Sequence, residues 1–252
     1  MRSLTYFVAV LACAATPTMA HAEFQGPGES EGLTLGVAVL ADFSAYEGVD
    51  EIEANPVPYI AYDWENLHIG IDGINYDFWD NDVFELTVFA DPRFAFTDPD
   101  ESPLFAGIDR KTTVEAGLGA RFNAGPAYAE IRGQYDILDV HNGYEASARI
   151  GLEVEVGKAS FDLAGGVSYR DEKLNDHLFG VRADEARADL AQFSPQDSLE
   201  PFVSADIALQ LGRRSAVIAF ADFRLLRDEV RESPLIGRKY TGTAGVAFLR
   251  RF

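Results

Sequence analysis

The side chains best suited to proton chemistry in this 252-residue chain are its four histidines, set against 41 acidic residues. His68 precedes Asp72 by four positions, so on a strand both would project from one face, as a base and its orienting carboxylate. His141 follows Asp139 closely enough to seat a metal or orient an imidazole, although a polar loop residue bonding its own turn has the same spacing. His177 falls in a long polar segment with no obvious partner. Glu153 and Glu155 lie on one strand face roughly 7 Å apart, as in a hydrolase pair, but nearby Arg149 suggests a solvated charge lattice instead. No serine nucleophile motif accompanies His68, and no glycine-rich phosphate loop or Walker pattern occurs. The expectation is no catalytic set, no cofactor and no metal site.

These charges become orderly once the elements that carry them are drawn. Val114, Ala116, Leu118, Ala120 and Phe122 alternate with Glu115, Arg121 and Asn123. Beyond Gly125-Pro126, Ala127, Ala129, Ile131 and Tyr135 oppose Glu130, Arg132, Gln134 and Asp136. The same period of two runs over 144–156, 161–170, 203–211 and 217–225. Strict alternation over ten to fifteen residues predicts strands with one apolar and one charged face. The apolar face is rich in alanine and glycine, with Tyr135, Tyr144, Tyr169 and Tyr240 near strand ends. That composition fits a lipid-facing band with interfacial aromatics around a polar interior. Glu130, Arg132, Arg149, Glu153, Asp162, Arg170, Asp222 and Arg224 are then expected to form a charge network in the lumen.

The N-terminal half is less regular. Strands are expected at 33–42, 58–64, 67–76 and 83–90, with Asp91-Pro92 as a tight turn and a short fifth strand starting at 93–97. Tight connections at 65–66, 91–92, 123–126, 157–158 and 212–213 alternate with longer ones at 43–57, 77–82, 98–110, 137–142, 171–198 and 227–238. Such alternation predicts an all-β, antiparallel, up-and-down transmembrane barrel of twelve strands with short periplasmic turns. Ten strands result if 77–97 is a loop. A short helix is expected over 184–190 in the longest connection.

The terminal segment Lys239–Phe252 closes the barrel in this reading, because an open final strand would recruit other chains. Its outward residues Val246, Phe248 and Phe252 are expected to form a signal read by the barrel-assembly machinery. Arg250 stands on the same face, where an aromatic or aliphatic residue is usual, and an arginine there can snorkel to the interface.

Arg2, the apolar run Leu4–Ala15 and Ala20-His21-Ala22 predict a secretory leader over 1–22, leaving 23–252 as the barrel. The single cysteine, Cys13, lies in that leader, so no disulfide or thiolate site is expected after cleavage. The formal net charge of −20 argues against nucleic-acid binding, which needs a basic surface. Outer-membrane lipid and lipopolysaccharide are the expected surroundings.

Several short segments, in order, resemble the MltA-interacting protein/OmpV family of outer-membrane proteins. They are Pro58-Tyr59-Ile60, Ile108-Asp109-Arg110-Lys111-Thr112-Thr113 and Asp139-Val140-His141-Asn142-Gly143. Phe179-Gly180-Val181 with Glu185-Ala186, and Ser233-Pro234-Leu235-Ile236-Gly237-Arg238, complete the series. The resemblance implies a barrel without enzymatic activity. It also implies a scaffold for a peptidoglycan synthase or lytic transglycosylase, or a surface adhesin. A lipid- or peptide-modifying barrel enzyme and a narrow solute channel are the alternatives.

Overall fold

The computed structural model describes residues 31–49, 53–94, 97 and 102–252, with backbone alone at 53–55. The expected leader at 1–22 lies outside the described residues.

Twelve antiparallel strands close into a barrel. In chain order they are β1 (Gly32–Phe43), β2 (Glu53–Trp64), β3 (Leu67–Gly70), β4 (Gly73–Asp80), β5 (Phe84–Arg93) and β6 (Thr113–Ala124). They continue with β7 (Ala127–Asp136), β8 (Tyr144–Val156), β9 (Ala159–Arg170), β10 (Ser198–Gln210), β11 (Ser215–Leu225) and β12 (Tyr240–Arg251). Each strand pairs with its chain neighbours, and β12 returns to β1 with Val37 opposite Phe248 and Val39 opposite Val246. Closure gives every wall strand a partner, which backbone in hydrocarbon requires. Outward side chains such as Leu35, Val37, Leu118, Ile131, Ile150, Leu163 and Val203 form an exposed apolar belt.

The tight turns 65–66, 125–126 and 157–158 lie at the end that holds the chain terminus, the periplasmic end by the short-turn rule. Glu65, Gly125 and Gly157 have φ of 49°, 64° and 68°, the left-handed backbone that two-residue hairpin turns demand.

Between residues 67 and 97 the strand count matches the expectation but the boundaries do not. β3 is short and turns at Ile71-Asp72, far below the outer rim. β4 then descends to a periplasmic turn at 81–83, and β5 runs unbroken through Asp91-Pro92. Asp91-Pro92 is therefore not a turn, and 77–82 is not an outer loop. Gly73, at φ 137°, makes the low hairpin possible, since a β-carbon there would strike the Asp91 carboxylate and the Ala90 carbonyl. β2 also begins at Glu53, earlier than expected.

The outer loops fold together. Helix α1 (Glu172–Phe179) is capped by the Asp171 carboxylate, which accepts from the Leu174 N–H at 3.0 Å. The expected helix at 184–190 is instead a series of turns and bridges, with Val181 paired to Phe193 and Arg187 to Leu190. A second, single-turn helix α2 (Asp228–Arg231) lies in the last loop. Ala45, Tyr46, Phe105, Ile108, Leu174, Leu178, Phe179, Val181, Leu190, Leu226, Val230 and Leu235 form one buried cluster, so the mouth carries a cap with its own apolar core.

The lumen also departs from the uniformly polar interior expected. Ala38, Leu40, Tyr59, Ala61, Ile218, Phe220, Ala247 and Leu249 pack into a second cluster on the inner face of β11, β12, β1 and β2. Those strands are apolar on both faces, which alternation alone reads as one apolar face and one small-residue face.

Candidate functional site

Three groups of side chains could carry function: the cap, the ion-pair layer beneath it, and a histidine cluster lower in the lumen. Arg110 ties the cap together. Its Nε donates to the His177 carbonyl at 2.8 Å and Nη2 to the Gly180 carbonyl at 2.9 Å. Nη1 and Nη2 reach the Glu185 carboxylate at 2.5 and 3.0 Å. The Ser233 hydroxyl donates to the Phe179 carbonyl at 2.6 Å, and Tyr46 to the Leu178 carbonyl at 2.9 Å. Arg238 donates to the Ser44 carbonyl at 2.9 Å. The bonds from Arg110, Tyr46 and Ser233 satisfy the buried carbonyls that end α1, which would otherwise be costly. The segments around Ile108-Asp109-Arg110, Phe179-Gly180-Val181, Glu185 and Ser233–Arg238, separated in sequence, thus meet in one place.

Burial opposes the charge on Glu185, but the Arg110 hydrogen bond and the Arg182 N–H hold its carboxyl below the usual range. His177 is buried in the cap, and its ring lies 5.0 Å from that of His141. Burial, then the neighbouring His141 and Arg110, pushes the His177 imidazole down to about 3.

His141 is not oriented by Asp139. Its backbone N–H, with those of Leu138 and Asn142, donates to Asp136 at 2.6, 3.0 and 2.9 Å. Thr113 adds a short hydrogen bond to the same carboxylate. The His141 Nδ1 accepts from the Gly143 N–H at 3.0 Å, and Nε2 lies 3.1 Å from Glu115.

Glu115 belongs to the layer below. Arg93 forks onto it, Nε to Oε1 at 2.8 Å and Nη2 to Oε2 at 2.6 Å, and reaches Glu145 at 2.9 Å. Glu145 also receives Arg224 at 2.8 Å and has Arg170 at 3.5 Å. Arg170 and Arg224 approach Glu200 at 3.2 and 3.4 Å. Three arginines and three glutamates from β5, β6, β8, β9, β10 and β11 thus bridge the lumen as a balanced layer. Paired this way, each buried charge keeps a partner, which a low-dielectric interior demands.

Of the residues expected in the charge network, Arg170 and Arg224 lie in this layer. Arg149 pairs with Glu130 at 2.8 Å, and Arg132 with Asp91 at 3.3 Å. Arg121 pairs with Glu153 at 2.7 Å, while Asp162 accepts from the Tyr128 hydroxyl at 3.0 Å. Asp222 is buried in the wall, and its Oδ1 has no hydrogen-bond partner among the described residues. Sequence reasoning missed Arg93, Glu115, Glu145 and Glu200 as network members. Their parity was visible, but the cross-lumen pairing was not. It also missed why lumenal glycines recur. Gly117 and Gly151 make room for the inward rings of Phe89 and Tyr128. Arg132 and Arg121 then stack on those rings at 3.9 and 3.8 Å.

His68 does meet Asp72, with Nε2 to Oδ1 at 3.1 Å, but its Nδ1 lies closer to Asp63, at 2.7 Å. Arg251 donates to Asp63 at 2.6 Å, and Tyr59 to Asp72 at 3.3 Å. Both ring nitrogens are occupied, so no lone pair faces a substrate. On the terminal strand, Val246, Phe248 and Phe252 face outward with 53%, 43% and 59% of their surface exposed. The Arg250 guanidinium lies 5.5 Å from the Phe252 ring centre.

Comparison with known proteins gives consistent relatives. The family model described as MltA-interacting protein MipA matches residues 35–252. The MltA-interacting protein of Escherichia coli (strain K12) is 26% identical over 232 residues, covering 90% of this chain and 93% of that protein. Outer membrane protein OmpV of Vibrio cholerae is 24% identical over 204 residues, covering 78% of this chain and 79% of its own length. Among solved structures, the translocator domain of autotransporter NalP from Neisseria meningitidis aligns over 90% of this chain and 91% of its own, at 12% identity and TM-score 0.47.

Proposed function

Because the chain belongs to the MltA-interacting protein family, we propose that this outer-membrane β-barrel is a non-enzymatic adaptor whose periplasmic rim docks a cell-wall enzyme. A lytic transglycosylase is the first candidate, in line with the name of the Escherichia coli relative. The observation that carries the reading is how charge divides around the rim. Lys158, Arg213, Arg214 and Arg250 are exposed along the arc from the β8–β9 turn to the end of β12, where Glu155 at the end of β8 is an exposed acid beside them. Glu65, Asp80 and Asp82 are exposed on the arc formed by the β2–β3 and β4–β5 turns. A rim polarised in this way selects one orientation of a partner and speeds its encounter.

Two features favour this reading over a channel or an enzyme. The packed cap and the Arg–Glu layer occupy the route through the lumen, and His68 has both nitrogens engaged. The test is photo-cross-linking in intact cells from Arg213, from Glu65 and, as a cap control, from Lys173. Adducts to a periplasmic wall enzyme are expected from Arg213 and are expected to weaken when K158E/R214E is added. Adducts from Lys173 alone would refute the rim assignment.

A further inference from the structure

The barrel wall is complete on its periplasmic side and interrupted above the β3–β4 turn. β2 pairs with β1 from Glu53 to Asp63, but with β3 only from Ala61 to Trp64. Between Glu53 and Ile60 its other edge has no strand partner among the described residues, and one bond, Ile71 N–H to the Ile60 carbonyl at 3.2 Å, closes the bottom of the gap. Across the gap, β5 pairs with β4 up to Ala90, leaving Asp91–Arg93 without a strand on that side among the described residues. The open edge of β2 is roughly 20 Å of strand at ~3.3 Å per residue.

The gap lies at the depth of the lipid-facing belt. Val37 and Val39 of β1, both about half exposed at 48% and 51%, stand in register with Pro58 and Pro56 of β2. Unpaired backbone facing hydrocarbon costs several kcal/mol per group, so such an edge needs an explanation.

Proline lowers that cost by removing donors, while the carbonyls of the same residues still face the gap. The Ile60 carbonyl points toward the β3 side, so by alternation residues 58 and 56 also turn their backbone to the gap. Both are proline and have no N–H to leave unsatisfied. On β5, Phe84 exchanges both backbone bonds with Asn81 of the β4–β5 turn, so Leu86, Val88, Ala90 and residue 92 face that same side. Residue 92 is proline as well. Of the four prolines within strands, Pro56, Pro58, Pro92 and Pro201, three therefore aim their missing donors into one gap.

An edge that keeps gap-facing donors only at residues 54 and 60 is a poor template for an added strand, which would need the full row. It suits a hydrocarbon chain better than a full edge would, because fewer polar groups are left unpaired against it. Behind the gap, Val57 and Ile71 pack against the apolar cluster of Leu40, Tyr59, Phe220 and their neighbours. The cap covers the mouth above. We propose that the gap between β2 and β5 is a lateral portal that admits the acyl chain of an outer-leaflet lipid to the apolar side of the lumen.

Fluorescence quenching by brominated acyl chains tests this in the full-length barrel reconstituted in lipid bilayers. With W64F and W79F removing the native tryptophans, single tryptophans are introduced as V57W (lumen face at the gap), V37W (lipid face) and S147W (lumen face between paired strands). V57W is expected to lose as much fluorescence as V37W, and several times more than S147W. Quenching of V57W no greater than that of S147W would overturn the portal. Because the indole could itself block the gap, a nitroxide on V57C in a C13S background provides a second reading. Greater access to lipid-soluble oxygen than to a water-soluble nickel chelate supports the portal, and the reverse overturns it. A dimer of the parent chain cross-linked through β2, with V57W unquenched, would replace it with strand pairing.

Discussion

Acid should loosen the cap while the barrel below stays folded, and His177 sets the size of the effect. Its ring is buried beside His141, and the closed cap holds it neutral with a value near 3 against an ordinary 6.5. A depressed value means the open form binds the proton first. The contribution is therefore fully present above pH 6.5 and is lost progressively as pH falls toward 3. At pH 5 the difference is about 1.5 pH units, or about 2 kcal/mol at 1.36 kcal/mol per unit, close to a 30-fold shift in the opening equilibrium. Hydrogen exchange of the α1 amides, corrected for intrinsic rates, reads that equilibrium directly. Protection should fall by about that factor between pH 7 and pH 5 in the parent and stay flat in H177L, whatever the absolute stability of the variant. A parent profile independent of pH, or an H177L profile that falls in parallel, would refute the reasoning.

Three further outcomes are expected. R110M takes from Glu185 its guanidinium partner and from the His177 and Gly180 carbonyls at the end of α1 their donors, which should weaken the cap by about 3–5 kcal/mol. Limited proteolysis should then cut faster within 171–197 while the unboiled barrel keeps its gel mobility. E145Q removes the carboxylate shared by Arg93, Arg170 and Arg224, and should lower the urea midpoint of the whole barrel more than E155Q, at an exposed position. Deleting Phe252 should lower the amount of folded protein in pulse-chase assembly. Arg250→Tyr should raise it, since a charge at interface depth costs at most about 1 kcal/mol.

How much of this was legible depended on whether one strand was enough to read it. From β6 to β12 each strand alternates over ten or more residues and carries its own signal, so strand identity and facing could be taken from periodicity. The cap could not be read that way. Arg110, Glu185 and Ser233 are far apart in the chain, and only their inclusion in the resembling segments marked them, while His177 stood out only as a histidine with no obvious partner. The longest connection placed its helix at Glu172–Phe179 because Asp171 caps it, an N-terminal signal that outweighs the helix-forming run at 184–190. The layer of Arg93, Glu115, Glu145 and Glu200 needed the barrel closed before its members could be matched across the lumen.

Asp91-Pro92 shows the limit most clearly. Proline after aspartate reads as a turn because proline removes a ladder donor, and in a wall strand paired on both sides that loss would break the sheet. The inference fails here because its premise fails. β3 and β4 turn back at Ile71-Asp72, so among the described residues no neighbour needs the donor. The same absence accounts for Pro56 and Pro58 inside β2. Three residues that weaken a strand prediction are thus consistent with one feature, a short hairpin, that no single strand could reveal. Gly73 is the residue on which that feature turns, because only glycine fits where the hairpin meets Asp91 at φ 137°. Lengthening the hairpin to full height would return all three prolines to positions where a donor is required, and the wall would then have to exclude them.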